Sequence, residues 1–233
     1  LGGAYFYAGG SQTLASLSGT NGSVVIDHYL GMTLNVNQAT NTTYSGGISA
    51  GAGSTFIKSG VGTLALSGGL SGSTVINGGT LQLGGAVLSS SPPLTLNGGT
   101  LALTGFTNNA GMLTVGSSGG VIDFSSSSPS VISFADSSGI GWTGPLSITN
   151  YTVGSGDSLR IGTSGSGLTG GQLAAITFVD LGLGASMDVN GYLTPIPEPG
   201  AMAGLAGAAA LAFAWYRRRR KPAGSEVPTT PSA

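Results

Sequence analysis

Short apolar runs that alternate with polar residues, each closed by a cluster of Gly, Asn or Ser, dominate this chain. Three show the pattern most plainly: Thr63-Leu64-Ala65-Leu66, Thr80-Leu81-Gln82-Leu83 and Thr100-Leu101-Ala102-Leu103. A glycine introduces each, at Gly62, Gly79 and Gly99, and the starts lie 17 and 20 residues apart. Period-two alternation sends the leucines to one face of a strand and Thr, Ala and Gln to the other. Asn77-Gly78-Gly79 and Asn97-Gly98-Gly99 precede two of the runs, and both residue types tolerate the positive φ of a tight corner. Looser versions follow at Ile122/Phe124, Ile132/Phe134, Leu146/Ile148 and Leu159/Ile161, and one, Met32 to Val36, comes before.

Short strands at this spacing predict an all-β chain. A Gly-rich repeat of about 20 residues points further, to a parallel β-helix or β-solenoid of about eight turns, a rod roughly 40 Å long. A β-sandwich is the competing arrangement, and it predicts hairpins between neighbouring strands. One helical feature interrupts the pattern. Thr169-Gly170-Gly171-Gln172 has the Thr-x-x-Gln form of a capping box and predicts two helical turns before the strand at Ile176 to Val179.

Composition narrows the function. Of 233 residues 44 are Gly, 32 Ser and 24 Thr, and only 6% are charged. An apolar fraction of 40% with so little charge is the opposite of a disordered composition, and the glycines lack the period of three that collagen needs. There is no cysteine, which removes disulfides, thiolate metal sites and thiol nucleophiles, and there is one histidine, His28. Five of the seven cations are consecutive at 217–221, leaving Lys58 and Arg160 against six Asp in residues 1–196, a formal charge of −4. Two cations cannot build a basic face, so nucleic-acid binding by the body is excluded. Residue 1 is Leu, so an export signal, where one exists, is removed or lies upstream.

The C-terminal region follows other rules. Residues 199–216 carry no charge, and a helix over 201–216 would be about 24 Å long, somewhat short of the ~30 Å hydrocarbon core of a bilayer. Trp215 and Tyr216 occupy an interfacial position, and Arg217, Arg218, Arg219, Arg220 and Lys221 follow at once. This is the pattern of a single transmembrane helix with a cytoplasmic basic stop and the body outside. A buried Ala-rich helix with a solvated basic end is the alternative. Proline at 195, 197 and 199 enforces an extended backbone around Glu198, a segment that a processing enzyme can grip.

Pro197-Glu198-Pro199, the short apolar helix and the basic cluster together resemble the PEP-CTERM sorting signal of Gram-negative bacteria, also catalogued as the ice-binding protein C-terminal domain. The resemblance covers about residues 195–221. It implies general secretion and recognition by a membrane exosortase at the Pro-Glu-Pro; the polar tail 222–233 is longer than family members usually carry. The body has its own resemblance. Residues 60–68 (Gly-Val-Gly-Thr-Leu-Ala-Leu-Ser-Gly) with 73–84 (Ser-Thr-Val-Ile-Asn-Gly-Gly-Thr-Leu-Gln-Leu-Gly) look like the autotransporter-associated β-strand repeat. That family implies a right-handed β-helix over residues 1–194 displayed at a cell surface. An autotransporter ends in a membrane β-barrel, whereas this chain ends in one helix, so self-translocation is not implied.

Candidate chemistry in the body is sparse. Gly165-x-Gly167-x-x-Gly170 matches a dinucleotide fingerprint as a string but lacks the full crossover helix, and corner glycines explain it. Gly154-Ser155-Gly156-Asp157 has the composition of a calcium turn, occurs once, and suits an Asx-turn. Asp27-His28 could orient a base but has no partner signature. Trp142 could stack on a sugar, and outward Thr could form a hydroxyl array. No residue is assigned a catalytic, cofactor or metal role. The expectation is a non-catalytic, exported cell-surface or extracellular-matrix protein, with exosortase, the secretion machinery, the inner membrane and exopolysaccharide as its partners. A β-helical carbohydrate-active enzyme and a glycan- or ice-binding adhesin module, each carrying the same signal, are the alternatives.

Overall fold

The computed structural model describes residues 5–26, 31–88, 93–196, 211–213 and 215–216. Contacts divide the chain into two units, Leu1–Ile196 and Pro197–Ala233.

The first unit is a β-solenoid of about six turns, each turn contributing a strand to three faces in succession. The first face holds Gln12–Leu14, Thr33–Asn37, Thr55–Ser59, Ser73–Ile76, Leu94–Leu96 and Leu113–Val115. The second runs from Thr42–Tyr44 through Thr63–Leu66, Thr80–Leu83, Thr100–Leu103, Gly120–Asp123 and Leu146–Thr149 to Ile176–Phe178. The third is in two sections. Tyr5–Ala8, Ser23–Ile26, Gly47–Ala50 and Leu70–Ser71 form one; Thr107–Asn109, Val131–Phe134 and Ser158–Ile161 form the other.

Among the described residues the sixteen strand pairs of the coil are parallel; only Leu183–Met187, which pairs with Ile176–Phe178 and with Leu193–Ile196 to close the second face, pairs antiparallel. Stacked parallel strands, rather than hairpins, remove the sandwich alternative.

Register produces the core. On the second face Leu64, Leu81, Leu101, Ile122, Ile148 and Phe178 lie directly above one another, and all are buried. Each such side chain contributes about 1.5–3 kcal/mol by leaving water. The same residues measure the coil: successive members stand 17, 20, 21, 26 and 30 residues apart. The coil therefore lengthens toward its C-terminal end, which is why about six turns form instead of the eight that a constant repeat predicts. Aromatic rings fill the wide end, where Tyr151 meets Phe124 and Phe178 edge-on at centroid separations of 5.2 and 5.0 Å.

The corners stack as the sequence suggests, but they are not identical. In Asn77-Gly78-Gly79 the left-handed residue is Gly79 (φ 59°), whereas in Asn97-Gly98-Gly99 it is Gly98 (φ 105°). The asparagines still ladder: the Asn97 amide donates to Asn77 Oδ1 at 3.5 Å, and Asn97 Oδ1 accepts from the Ser118 N–H at 3.3 Å.

The C-terminal end of the coil is covered. A helix over Gly170–Ala174 is capped by the capping box read from the sequence: Thr169 Oγ1 accepts the Gln172 N–H, and Gln172 Oε1 accepts the Thr169 N–H. It is shorter than the two turns expected, because Ala175 ends it and the strand begins at Ile176. Buried Gln172 also donates to the carbonyls of Ser137 (2.9 Å) and Ile140 (2.8 Å), which fixes the helix against the loop that follows Val131–Phe134.

In the second unit residues 211–213 and 215–216 are helical. Among the described residues no helix is long and apolar enough to cross a membrane. Most of the span expected over 201–216 lies outside the described residues.

Candidate functional site

The residues expected to carry sorting, Pro197, Glu198 and Pro199 with Arg217, Arg218, Arg219, Arg220 and Lys221, lie outside the described residues, as do Asp27, His28 and the tail 222–233. What the structure does place is the boundary in front of them. The last strand, Leu193–Ile196, is held in register against Leu183–Met187, with Pro195 opposite Ala185 and Ile196 opposite Gly184.

Among the described residues of the body, Asp157, the Gly165–Gly170 string and Trp142 each have a structural occupation. Asp157 Oδ1 accepts the Ser130 N–H at 2.9 Å, while Oδ2 accepts the Ser155 hydroxyl at 2.7 Å and the Thr152 N–H at 3.3 Å. It ties its own turn to the preceding one; its acceptors take donors that precede it in the chain, so this is a bridge between turns in place of the expected Asx-turn. The Gly165–Gly170 string joins Ser158–Ile161, on the third face, to the five-residue capping helix, so no nucleotide-binding crossover forms. Gly167 is required there because a Cβ would come within 2.1 Å of the Ile161 carbonyl oxygen. Trp142 is half-buried, and its indole N–H donates to the Leu113 carbonyl at 2.9 Å, extending the first face.

Two carboxylates far apart in sequence do approach one neighbour. Asn150, left-handed at φ 56°, donates its side-chain amide to Asp123 Oδ1 at 2.7 Å and its backbone N–H to Asp180 Oδ2. Thr149 donates to the same Asp123 oxygen at 3.1 Å. The pair is a polar clamp on the second face.

Lys58, one of the body's two cations, points inward. It stands in the aliphatic ladder Leu14, Val36, Lys58, Ile76, Leu96 and Val115, fully buried. Its ammonium donates to the carbonyls of Ser59 (2.8 Å), Gly60 (3.2 Å) and Gly78 (3.3 Å), and burial pushes its pKa down. A second polar side chain in the core is Asn108. Its Oδ1 accepts the N–H groups of Val87 and Leu88 at 2.8 and 3.0 Å, and its amide donates to the Gly85 carbonyl at 3.1 Å. It thereby joins the two sections of the third face.

The outward surfaces are not uniform arrays. Thr63, Thr80 and Thr100 align on the second face, but Val121 follows them, and the adjacent column reads Ala65, Gln82, Ala102 and Asp123.

The third face differs. Asn109, Ser133 and Arg160 form one outward column on successive turns. Arg160 Nε donates to the Asn190 carbonyl at 2.9 Å, and its Cζ lies 5.3 Å from the Tyr192 ring centroid. The column borders a shallow cleft of about 460 Å³ that also includes Leu88, Phe134 and Thr163.

Period-two reading around Leu159 and Ile161 already sets Arg160 outward. The role of Lys58 was harder to find, because Phe56-Ile57-Lys58 alternates in the opposite sense to chemical expectation, with Ile57 outward. Nothing local marks Asn108 as an interior residue.

Compared with protein-family models, curated proteins and solved structures, the chain matches none of them.

Proposed function

We propose that this chain is an exported, non-catalytic structural protein of the cell surface or extracellular matrix, a solenoid body delivered by a C-terminal sorting segment that exosortase recognises. The observation that carries the reading is the coincidence of two boundaries. The compact unit ends at Ile196, and the next three residues are Pro197-Glu198-Pro199. A processing enzyme that reads Pro-Glu-Pro would then act directly after the compact unit in the chain, and cleavage there leaves the body whole.

Three features support it further. In the second unit Leu211, Phe213 and Trp215 are apolar yet 57–74% exposed, which suits a segment whose partner is lipid. The five consecutive cations at 217–221 directly follow the uncharged run of 199–216, the order that a membrane stop requires. Non-catalytic work agrees with Asp123, Asp157 and Asp180 being engaged by neighbouring donors. The right-handed sense of the coil belongs to this reading too, since parallel crossovers are right-handed in ≈ 98% of cases.

The test is expression in hosts with and without exosortase, following mature mass and location. Loss of residues 217–221 in the first host alone is the expected result. A chain that keeps them in both hosts, at the same location, overturns the proposal.

A further inference from the structure

We propose that the Asn109–Ser133–Arg160 column is a binding site for a carboxylate-bearing glycan, a polyuronate chain lying along the solenoid axis. The argument begins with charge. Residues 1–196 hold two cations, and Lys58 is sealed in the core, so Arg160 is the only side chain of the body whose permanent positive charge reaches the surface. Among the described residues no carboxylate forms an ion pair with it. Its Nε is committed to the Asn190 carbonyl and its Cζ sits over the Tyr192 ring. That fixes the guanidinium and leaves its two terminal nitrogens as a preorganised fork, the geometry that matches a carboxylate with two parallel hydrogen bonds.

The surroundings select the rest of the ligand. Ser133 and Asn109 continue the column on the two preceding turns, at strand spacings of about 4.8 Å, so polar contacts extend about 10 Å from the guanidinium. Hydroxyl and amide groups in line with a fixed cation suit a chain that repeats hydroxyls and carboxylates. An acidic peptide is a poorer fit, because an extended peptide binds by adding to an open sheet edge. The edge at Ser158–Ile161 is already covered: the Ile161 N–H donates to the Gly191 carbonyl at 2.9 Å.

This inference deepens the reading of the body as matrix-facing, and its test is separate from the sorting test. The full-length chain in detergent is titrated with a labelled oligogalacturonate, with its fully methyl-esterified form, and with oligo-glutamate. Binding of the free acid, weakened more than tenfold by esterification and by Arg160→Gln, is the expected result. Arg160→Lys, which keeps the charge without the fork, should fall between. Ser133→Trp obstructs the column without touching the Asn190 or Tyr192 contacts and should also abolish binding. That variant decides the matter where Arg160→Gln unfolds. Equal affinity for acid and ester, binding of oligo-glutamate alone, or no effect of Ser133→Trp overturns the site. Any of these leaves the exosortase result standing, and a failed exosortase result leaves this one standing.

Discussion

Lys58 donates a hydrogen bond to the carbonyl of Gly78, on the next turn of the coil, from a position completely shielded from solvent. With the Ser59 and Gly60 carbonyls it makes the ammonium an internal cross-link between two corners. Replacing it by Met keeps the aliphatic ladder but takes the ammonium donor from the Gly60 and Gly78 carbonyls, while the Ser59 carbonyl keeps the Gln38 N–H. Lys58→Met should therefore destabilise the body by about 2–3 kcal/mol in urea titration.

The same residue sets a pH dependence. Burial lowers the folded pKa of Lys58 below the ordinary lysine value of about 10.4. Between those two values the unfolded chain holds a proton that the folded chain has released, so stability rises as pH rises through that window. Burial raises Tyr44 and Tyr151, with Asp157 adding to the shift of the latter. Their contribution is complete below about pH 10 and is lost as pH climbs through their raised folded values. Urea midpoints should therefore rise and then fall across the alkaline range, and Lys58→Met should remove the rise while keeping the fall.

Adjacent glycines should respond in opposite ways. A Cβ at Gly68 would stand 2.1 Å from the Gly46 carbonyl oxygen on the preceding turn, whereas one at Gly69 meets nothing within 4 Å. Gly68→Ala must push two coils apart and should cost more than about 2 kcal/mol. Gly69→Ala should change stability by less than about 1 kcal/mol, with a gain from reduced unfolded-state entropy. Thermal melts of the two variants side by side give the comparison.

Asn108 replaces a missing stretch of sheet with one amide. Asn108→Leu leaves the Val87 and Leu88 N–H groups and the Gly85 carbonyl without their partner. A loss of about 3 kcal/mol or more is expected, and hydrogen exchange should accelerate at Val87 and Leu88 first.

The cap at the wide end can be separated into parts. Thr169→Ala removes one acceptor of the capping box and should cost about 1 kcal/mol. Gln172→Ala removes the side-chain half of the box and both contacts to Ser137 and Ile140, and should cost clearly more. Uncovering that end should also promote self-association, visible as concentration-dependent elution in size-exclusion chromatography.

The repeat was legible because its signal is local: Leu64/Leu66, Leu81/Leu83 and Leu101/Leu103 alternate, and identical residues land on one another in register. So was the capping box, whose partners are three residues apart. The number of turns was not legible, because the loops that lengthen the last coils carry no period. Nor was the column at Arg160, since Asn109, Ser133 and Arg160 come together only once coil lengths of 24 and 27 residues are known. Lys58 misled for a different reason: charge predicts the surface, and three carbonyls at a corner outweigh that rule.

The antiparallel end has a mechanical meaning. A pull on Ile196 opens its pairing with Gly184 first, then Pro195 from Ala185, one pair after another. A pull at Tyr5 instead strips whole rungs, since the first coil is bonded only to the next. Leu34 and Phe56 are partners 22 residues apart, so each rung released there pays out about 75 Å of chain. A body tethered at one end and bound at the other would thus lengthen in steps under load, keeping its remaining turns intact.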